Sequence, residues 1–101
     1  MSEKGLLEEK QPNVVEAFKK LMEESLKEGM LPSKFKELIA VSVGLAINCP
    51  DCVKGHTERA IKAGAKKDEI AEALAVTLSC LGCPTFPRSK TIEETLKEHN
   101  L

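Results

Sequence analysis

The sequence predicts a single, all-α domain spanning residues 1–101. A chain of 101 residues suits one domain with a modest core, which partner subunits would extend. No segment alternates strictly between apolar and polar residues, the pattern of a half-buried β-strand. Helix-start and helix-stop signals are frequent instead. We therefore expect five to six helices.

The first two predicted helices are separated by a glycine and a proline. An apolar stripe at helical spacing begins near Pro12 and ends before Gly29. Its members are Val14, Val15, Phe18, Leu21, Met22 and Leu26. Residues 1–11, which precede it, are expected to be loosely ordered. Pro32 suits the first turn of the second helix, which runs to Ile47 and is apolar around most of its circumference, so it should lie centrally.

The third helix is predicted to begin at Pro50 and to end at Gly64, with Cys49 at or near its N-cap. Only a short connection around Asn48 separates it from the second helix. The two helices should therefore form a central hairpin, with Cys49 at its tight corner.

The fourth and last helices follow from an apolar face and a capping signal. The fourth begins at Lys67 or Asp68 and ends within residues 80–84. Its apolar face comprises Ile70, Leu74, Thr77, Leu78 and Leu81. A capping box at residues 91–94 predicts a short C-terminal helix over residues 91–100.

The composition argues against several classes of function. There are 15 Lys and Arg against 16 Asp and Glu, no Trp or Tyr, and three Phe. Such a chain offers neither a basic surface for nucleic acids or anionic membranes nor aromatic platforms for bases. The longest apolar run, residues 38–49, is shorter than the ~18 residues of a membrane helix, and the N-terminus has no apolar signal region. We expect a cytoplasmic protein with no nucleic-acid and no membrane partner.

The residues whose side chains could take part in a reaction are Glu37, Cys49, Cys52 and His56. Cys49 and Cys52 are three residues apart and His56 follows four later, so their side chains share one helix face. Two thiols in a first turn can close a disulfide, and a helix N-terminus stabilises a thiolate. A histidine one turn later can accept the proton of Cys52. This spacing indicates a redox site.

Glu37 lies on the preceding helix, on a face of small or apolar residues. Its helical neighbours there are Ala40, Val41 and Gly44. A carboxylate in such surroundings needs a partner, and an antiparallel hairpin could bring it towards His56. Taken singly, Glu37 could equally be a surface residue, and a C-x2-C pair could be structural or metal-binding.

Cys80 and Cys83 form a second C-x2-C at the end of the fourth helix. Together with the first pair they would supply a four-cysteine zinc site. However, the 27 residues between Cys52 and Cys80 exceed the usual gap of about 15–20 in zinc ribbons. We favour Cys80 packed as a small buried hydrophobe. A second redox pair or an inter-subunit bridge through Cys83 remains open.

Residues 31–84 resemble the AhpD-like, carboxymuconolactone decarboxylase superfamily, in its alkylhydroperoxidase branch. The matching elements are Glu37, Cys49, Cys52, His56, the helix end at Ala60, Ala63 and Gly64, and the helix start at residues 68–73. The resemblance implies the AhpD-like helical fold with a core at about residues 12–86. It also implies a homo-oligomer, a trimer or a hexamer.

The resemblance further implies a thiol-dependent (alkyl)hydroperoxidase, a peroxidase with peroxiredoxin activity. Cys52 would be the peroxidatic thiol, His56 would accept its proton, and Glu37 would relay it. Cys49 would then close a disulfide with the oxidised Cys52. The expected partners are a hydroperoxide substrate and a lipoylated or thioredoxin-like protein that supplies an external dithiol. No bound cofactor or metal is expected.

Two positions depart from the family pattern. Asp51 stands where some members have a histidine, and its negative charge should raise the pKa of the Cys52 thiol. Cys83 stands where many relatives have a glycine-type residue. The helix dipole favours Cys49 as the reactive thiol, whereas the spacing to His56 favours Cys52. We assign Cys52 to peroxide attack. We expect Cys49 to be the more exposed sulfur and to be the one attacked by the reductant.

Three alternatives stand beside the hydroperoxidase. The protein could be a general dithiol–disulfide oxidoreductase without peroxide specificity. It could be a carboxymuconolactone-decarboxylase-like enzyme, although a decarboxylase has no need of paired thiols. It could also be a non-catalytic, zinc-bound oligomerisation module.

Overall fold

The computed structural model describes residues 5–101, which fold into seven helices and contain no strand. The helices are α1 (Leu6–Lys10), α2 (Pro12–Leu26), α3 (Ser33–Ala46), α4 (Pro50–Lys62), α5 (Lys67–Leu81), α6 (Thr85–Arg88) and α7 (Lys90–Glu98). The all-α prediction is confirmed, and α1 and α6 are short additions to the five helices predicted in detail. None of the described helices is both long and apolar enough to cross a membrane.

The predicted central hairpin is formed by α3 and α4. Asn48 adopts the left-handed conformation (φ 56°), which asparagine tolerates better than most residues. The Cys49 amide donates to the Gly44 carbonyl at 2.9 Å, and the Asn48 amide donates to the Leu45 carbonyl at 3.2 Å. These two bonds form a Schellman motif at the end of α3. Cys49 is also the N-cap of α4, so one residue ends the first helix and starts the second.

Gly44 allows the two helices of the hairpin to approach closely. A Cβ atom at this position would lie 3.0 Å from Val53 Cγ2, 3.3 Å from the Val53 backbone nitrogen and 3.4 Å from Cys52 Cβ. One of these neighbours is backbone, which cannot rotate away. A side chain here would therefore displace the first turn of α4, where both cysteines lie.

The core lies where α3, α4, α5 and α7 meet. Helix α4 packs against α3 and α7, and α5 packs against α3. The buried apolar residues are Leu38, Val41, Leu45, Val53, Ala60, Ala65, Ile70, Ile92 and Leu96. The predicted central position of α3 is therefore confirmed. However, one of its faces stays open, because Ile39, Val43 and Ile47 are all more than half exposed.

The N-terminal helices are the most exposed part of the fold. Helix α2 contains no buried residue, and Val14, Phe18 and Leu21 of its apolar stripe are all more than half exposed. Within residues 1–11, which the sequence predicts to be loosely ordered, Leu6–Lys10 form the short helix α1, which has no buried residue. Residues 1–4 of that prediction lie outside the described residues.

The start of α5 is tied to α3 by Glu69. This carboxylate accepts a hydrogen bond from the Lys66 amide at 2.8 Å and one from Lys34 Nζ of α3 at 2.9 Å. The backbone hydrogen bond from Lys66, followed by the contact with Lys34, lowers the pKa of Glu69 below 4.5. The ionised form of Glu69 thus stabilises the start of α5 at neutral pH.

The C-terminal helix begins earlier than predicted. Helix α7 starts at Lys90 with Ser89 as its N-cap, so Thr91 lies inside the helix and the expected capping box does not begin it. The physical reason is that Ser89 is itself helical (φ −74°, ψ −7°) and directly follows α6. The chain is therefore already turning as a helix before it reaches Thr91.

Candidate functional site

Cys49 and Cys52 lie together at the N-terminal end of α4. They are at disulfide-bonding distance, with Cα atoms 5.2 Å apart. The Cys52 amide donates to the Cys49 sulfur at 3.2 Å, so the Cys49 side chain caps the helix as predicted. The first-turn amides and the helix dipole favour negative charge on sulfur at this position.

Glu37 and His56 form a hydrogen bond across the hairpin. Oε1 of Glu37 lies 2.7 Å from Nδ1 of His56. The Glu37 side chain is only 6% exposed and that of His56 is 16% exposed. The structure thus pairs Cys49 with Cys52 and Glu37 with His56, and it gives the carboxylate of α3 the partner that it requires.

This hydrogen bond determines which histidine nitrogen can exchange a proton. An ionised carboxylate can only accept, so Nδ1 of His56 donates its hydrogen to Glu37. Nε2 is then the nitrogen with a free lone pair. Because His56 lies one turn after Cys52 on the same face of α4, its ring is suited to act as a base for that thiol.

Arg59 is a further member of this cluster that the sequence analysis did not identify. Its Nη2 lies 3.0 Å from Nδ1 of His56, and its Nε lies 3.5 Å from Oε2 of Glu37. Nδ1 cannot donate to Glu37 and accept from Arg59 at once. The bond to the ionised carboxylate is the stronger of the two, so we assign Arg59 to Glu37. The sequence feature that could have identified Arg59 is its position three residues after His56, on the same helix face.

Asp51, the departure from the family pattern, is exposed in the first turn of α4. Its charge is therefore screened by solvent, and a carboxylate in a first turn complements the helix dipole. Asp51 is thus placed to stabilise the start of α4.

Two cavities adjoin the cluster. One, of about 330 Å³, is lined by Cys49, Val53, Arg88 and Thr91 among others, and Cys52 is not part of its lining. The other, of about 300 Å³, is lined partly by residues of α2 and by Glu37 and Arg59. Cys49 and Glu37 therefore line different cavities.

The second cysteine pair lies away from the core. Cys80 and Cys83 are both free and exposed, so the expectation of a buried Cys80 is wrong. In the last turns of α5 the buried or half-buried positions are Thr77, Leu78 and Leu81, which leaves Cys80 on the outer side. Within residues 5–101, no three His, Cys, Asp or Glu side chains are grouped as metal ligands.

Comparison with known sequences gives one family match and two relatives. The sequence profile of the Carboxymuconolactone decarboxylase family matches residues 12–91. An uncharacterized protein of Cupriavidus necator is 38% identical over 80 residues, which cover 79% of this chain and 71% of that protein. Uncharacterized protein 4 in the cox locus of Paracoccus denitrificans is 36% identical over 64 residues, 63% of this chain and 58% of that protein.

Several solved structures have similar folds, including two crystal structures of family proteins. A carboxymuconolactone decarboxylase family protein from Legionella pneumophila aligns with a TM-score of 0.83 at 28% identity, covering 91% of this chain and 82% of that one. A family protein from Thermotoga maritima, for which a role in antioxidative response has been suggested, aligns with a TM-score of 0.79 at 28% identity, covering 87% of this chain and 91% of that one.

Proposed function

The chain belongs to the carboxymuconolactone decarboxylase family, and within that family we propose that it is a thiol-dependent hydroperoxidase. The observation that supports this most is the position of Cys52 on α4 one turn before His56, which forms a partly buried hydrogen bond with Glu37. Hydroperoxide reduction needs a thiolate, a base for its proton and a second thiol. The cluster offers all three.

The first step is attack on the peroxide. His56 Nε2 takes the proton of the Cys52 thiol while Nδ1 stays bonded to Glu37, which stabilises the imidazolium. The Cys52 thiolate attacks the terminal oxygen of the hydroperoxide, the O–O bond breaks, and Cys52 becomes a sulfenic acid. The leaving alkoxide takes the proton from His56 and departs as an alcohol.

The second step closes the disulfide. The Cys49 sulfur attacks the Cys52 sulfenic acid, its own proton leaves with the hydroxyl group as water, and the Cys49–Cys52 bond forms. The N-cap position of Cys49, held by the Schellman motif, keeps the two sulfurs within reach. An external dithiol then reduces this bond by exchange. The net reaction turns one hydroperoxide and one dithiol into an alcohol, water and a disulfide.

Homo-oligomerisation is part of the proposal. Exposed apolar residues follow helical spacing on two helices, namely Val14, Phe18 and Leu21 on α2 and Phe35, Ile39, Val43 and Ile47 on α3. Such contiguous apolar stripes are more than a monomer normally leaves in water. We propose that further copies of the chain cover them in a trimer or a hexamer.

A general dithiol–disulfide oxidoreductase is the second candidate. The same C-x2-C at a helix N-terminus favours it, because exchange needs an accessible sulfur and Cys49 lines a cavity. The Glu37–His56 pair argues for the hydroperoxidase, since a base one helical turn from Cys52 is of use in peroxide attack. A carboxymuconolactone-decarboxylase-like activity on a lactone would leave the paired thiols without a role.

Peroxide consumption with a dithiol reductant distinguishes these candidates. We expect turnover by the unaltered protein and its loss in Cys52→Ser and Cys49→Ser. Cys80→Ser is the matched control, because it removes an exposed thiol outside the cluster, and it should keep full turnover. Full turnover in both Cys52→Ser and Cys49→Ser would refute the redox mechanism. Fast disulfide exchange without peroxide turnover would favour the oxidoreductase.

A further inference from the structure

The cavity beside Cys49 contains one charged side chain, that of Arg88. Arg88 is half-buried and belongs to α6, a helix that the sequence analysis did not predict. The remaining lining is apolar or neutral, including Val53, Pro87 and the polar Thr91. A small cavity that is lined by a cysteine of the proposed redox pair and by a single arginine has the composition of a binding site for a small anion-bearing molecule.

Arg88 is held in place by only one of its nitrogens. Nη1 donates to the carbonyls of Leu45 at 2.9 Å and Ala46 at 3.3 Å, at the C-terminal end of α3. No carboxylate of residues 5–101 forms an ion pair with Arg88. The carbonyls of α3 thus fix the guanidinium next to the α3–α4 corner, while Nε and Nη2 keep donors that can be offered to a ligand.

We propose that this cavity binds the carboxylate of a small acidic dithiol, whose thiols reduce the Cys49–Cys52 disulfide. This inference rests on the proposed redox role of that pair. The guanidinium fork matches a carboxylate, and partial burial strengthens the charge-assisted hydrogen bonds. The apolar lining suits the carbon chain between the carboxylate and the thiols. At about 330 Å³ the cavity has the size of small-molecule sites rather than of a protein interface.

The position of the cavity also determines which sulfur is attacked. Cys49 lines the cavity and Cys52 does not, so a dithiol anchored on Arg88 reaches the Cys49 sulfur first. Its thiolate forms a bond to Cys49, the Cys49–Cys52 bond breaks, and Cys52 leaves as a thiolate at the N-terminus of α4. The second thiol of the reductant, after losing its proton, displaces Cys49. The reductant leaves as a cyclic disulfide, and both protein thiols end reduced.

A matched pair of dithiols tests this proposal. Dihydrolipoate and dihydrolipoamide have the same dithiol, but dihydrolipoate ends in a carboxylate and dihydrolipoamide ends in a neutral amide. The rate of reduction of the oxidised protein is measured by alkylation quench and mass spectrometry, with no peroxide present. We expect dihydrolipoate to react about fivefold faster, the effect of one partly buried charged contact. The preference should shrink as salt is raised. Equal rates in the unaltered protein would overturn the proposal.

Substitutions test whether the preference for dihydrolipoate depends on Arg88. Arg88→Gln should bring the ratio of the two rates to about one, whereas Arg88→Lys should keep part of it. Lys90→Gln removes a nearby exposed charge that does not line the cavity, and it should leave the ratio unchanged. A merely structural role of Arg88 would slow both dithiols equally. A preference that survives in Arg88→Gln, or that disappears equally in Lys90→Gln, would contradict the proposal.

A measurement on the unaltered protein covers the case in which Arg88→Gln fails to fold. Octanoate, which has the carboxylate but no thiols, should occupy the cavity and slow reduction, while octanamide should not. Equal effects of the two would overturn the proposal. None of these rates involves peroxide, so the preference for dihydrolipoate is measured separately from peroxide turnover. The failure of one proposal can therefore be distinguished from the failure of the other.

Discussion

At the residue scale, the proposed chemistry depends on which nitrogen of His56 holds its hydrogen. The buried carboxylate of Glu37 accepts from Nδ1 and so leaves Nε2 as the base. Arg59 Nε lies 3.5 Å from the same carboxylate and helps to hold it in place. The positioning of one proton thus involves three residues from two helices.

Glu37→Gln tests this assignment with little change in shape. The amide of glutamine can donate to Nδ1, which favours the tautomer with hydrogen on Nε2 and removes the base. We expect the rate of Cys52 oxidation by peroxide to fall by about 10²-fold, within the range of general base catalysis. Stopped-flow measurement on the reduced protein checks it. A rate within twofold of the unaltered protein, with folding intact, would exclude Glu37 from the relay.

Most of the candidate site could be predicted from the sequence, because its spacing is local. Cys49, Cys52 and His56 lie within eight residues of one helix, so helical periodicity alone places them together. The pairing of Glu37 with His56 could be suggested but not measured. Arg59 and Arg88 were missed, since an arginine on a helix surface is usually solvated and only the tertiary contacts show its partners.

At the element scale, the site depends on the close packing of α3 against α4. The helices α2, α3, α4, α5 and α7 were predicted from glycine, proline and apolar spacing, which are local signals. Helix α6 was missed because two prolines at residues 84 and 87 are typical of a loop. The exposure of Cys80 was missed because burial depends on which face of α5 meets its neighbours.

Gly44→Ala tests the packing of the hairpin. The added Cβ would lie 3.0 Å from Val53 Cγ2 and 3.3 Å from a backbone nitrogen, so α4 must shift. We expect a loss of about 1–2 kcal/mol in the free energy of unfolding, since overpacking outweighs the better helix propensity of alanine. Denaturant unfolding measures it. Gly55→Ala is the control, because its Cβ meets only the flexible end of Arg59, and it should not destabilise. Equal effects of both variants would refute close packing at Gly44.

At the scale of the whole molecule, the exposed apolar faces of α2 and α3 are the observation on which the proposed assembly rests. Helix α2 buries no residue within its own chain, although its sequence has a clear apolar stripe. Sequence periodicity predicted that stripe but not its partner, because periodicity cannot distinguish burial within a chain from burial between chains.

Light scattering tests the assembly. We expect a trimer or a hexamer at micromolar concentration and its dissociation in Phe18→Glu, which places a charge in the apolar stripe of α2. Lys20→Gln makes the same change in net charge at an exposed lysine of α2 outside the apolar stripe, and it should leave the assembly intact. A monomer in the unaltered protein, or the same mass in both variants, would contradict the proposed interface.

The central claim, that Cys52 and Cys49 form the peroxide-reactive pair, is tested most directly by mass-spectrometric titration of the reduced protein with hydroperoxide. We expect one equivalent to produce the Cys49–Cys52 disulfide, and we expect Cys49→Ser to accumulate a sulfenic acid on Cys52. Cys80 and Cys83 should stay reduced at this stage. Oxidation of Cys80 or Cys83 before the first pair, or of Cys49 before Cys52, would contradict the account.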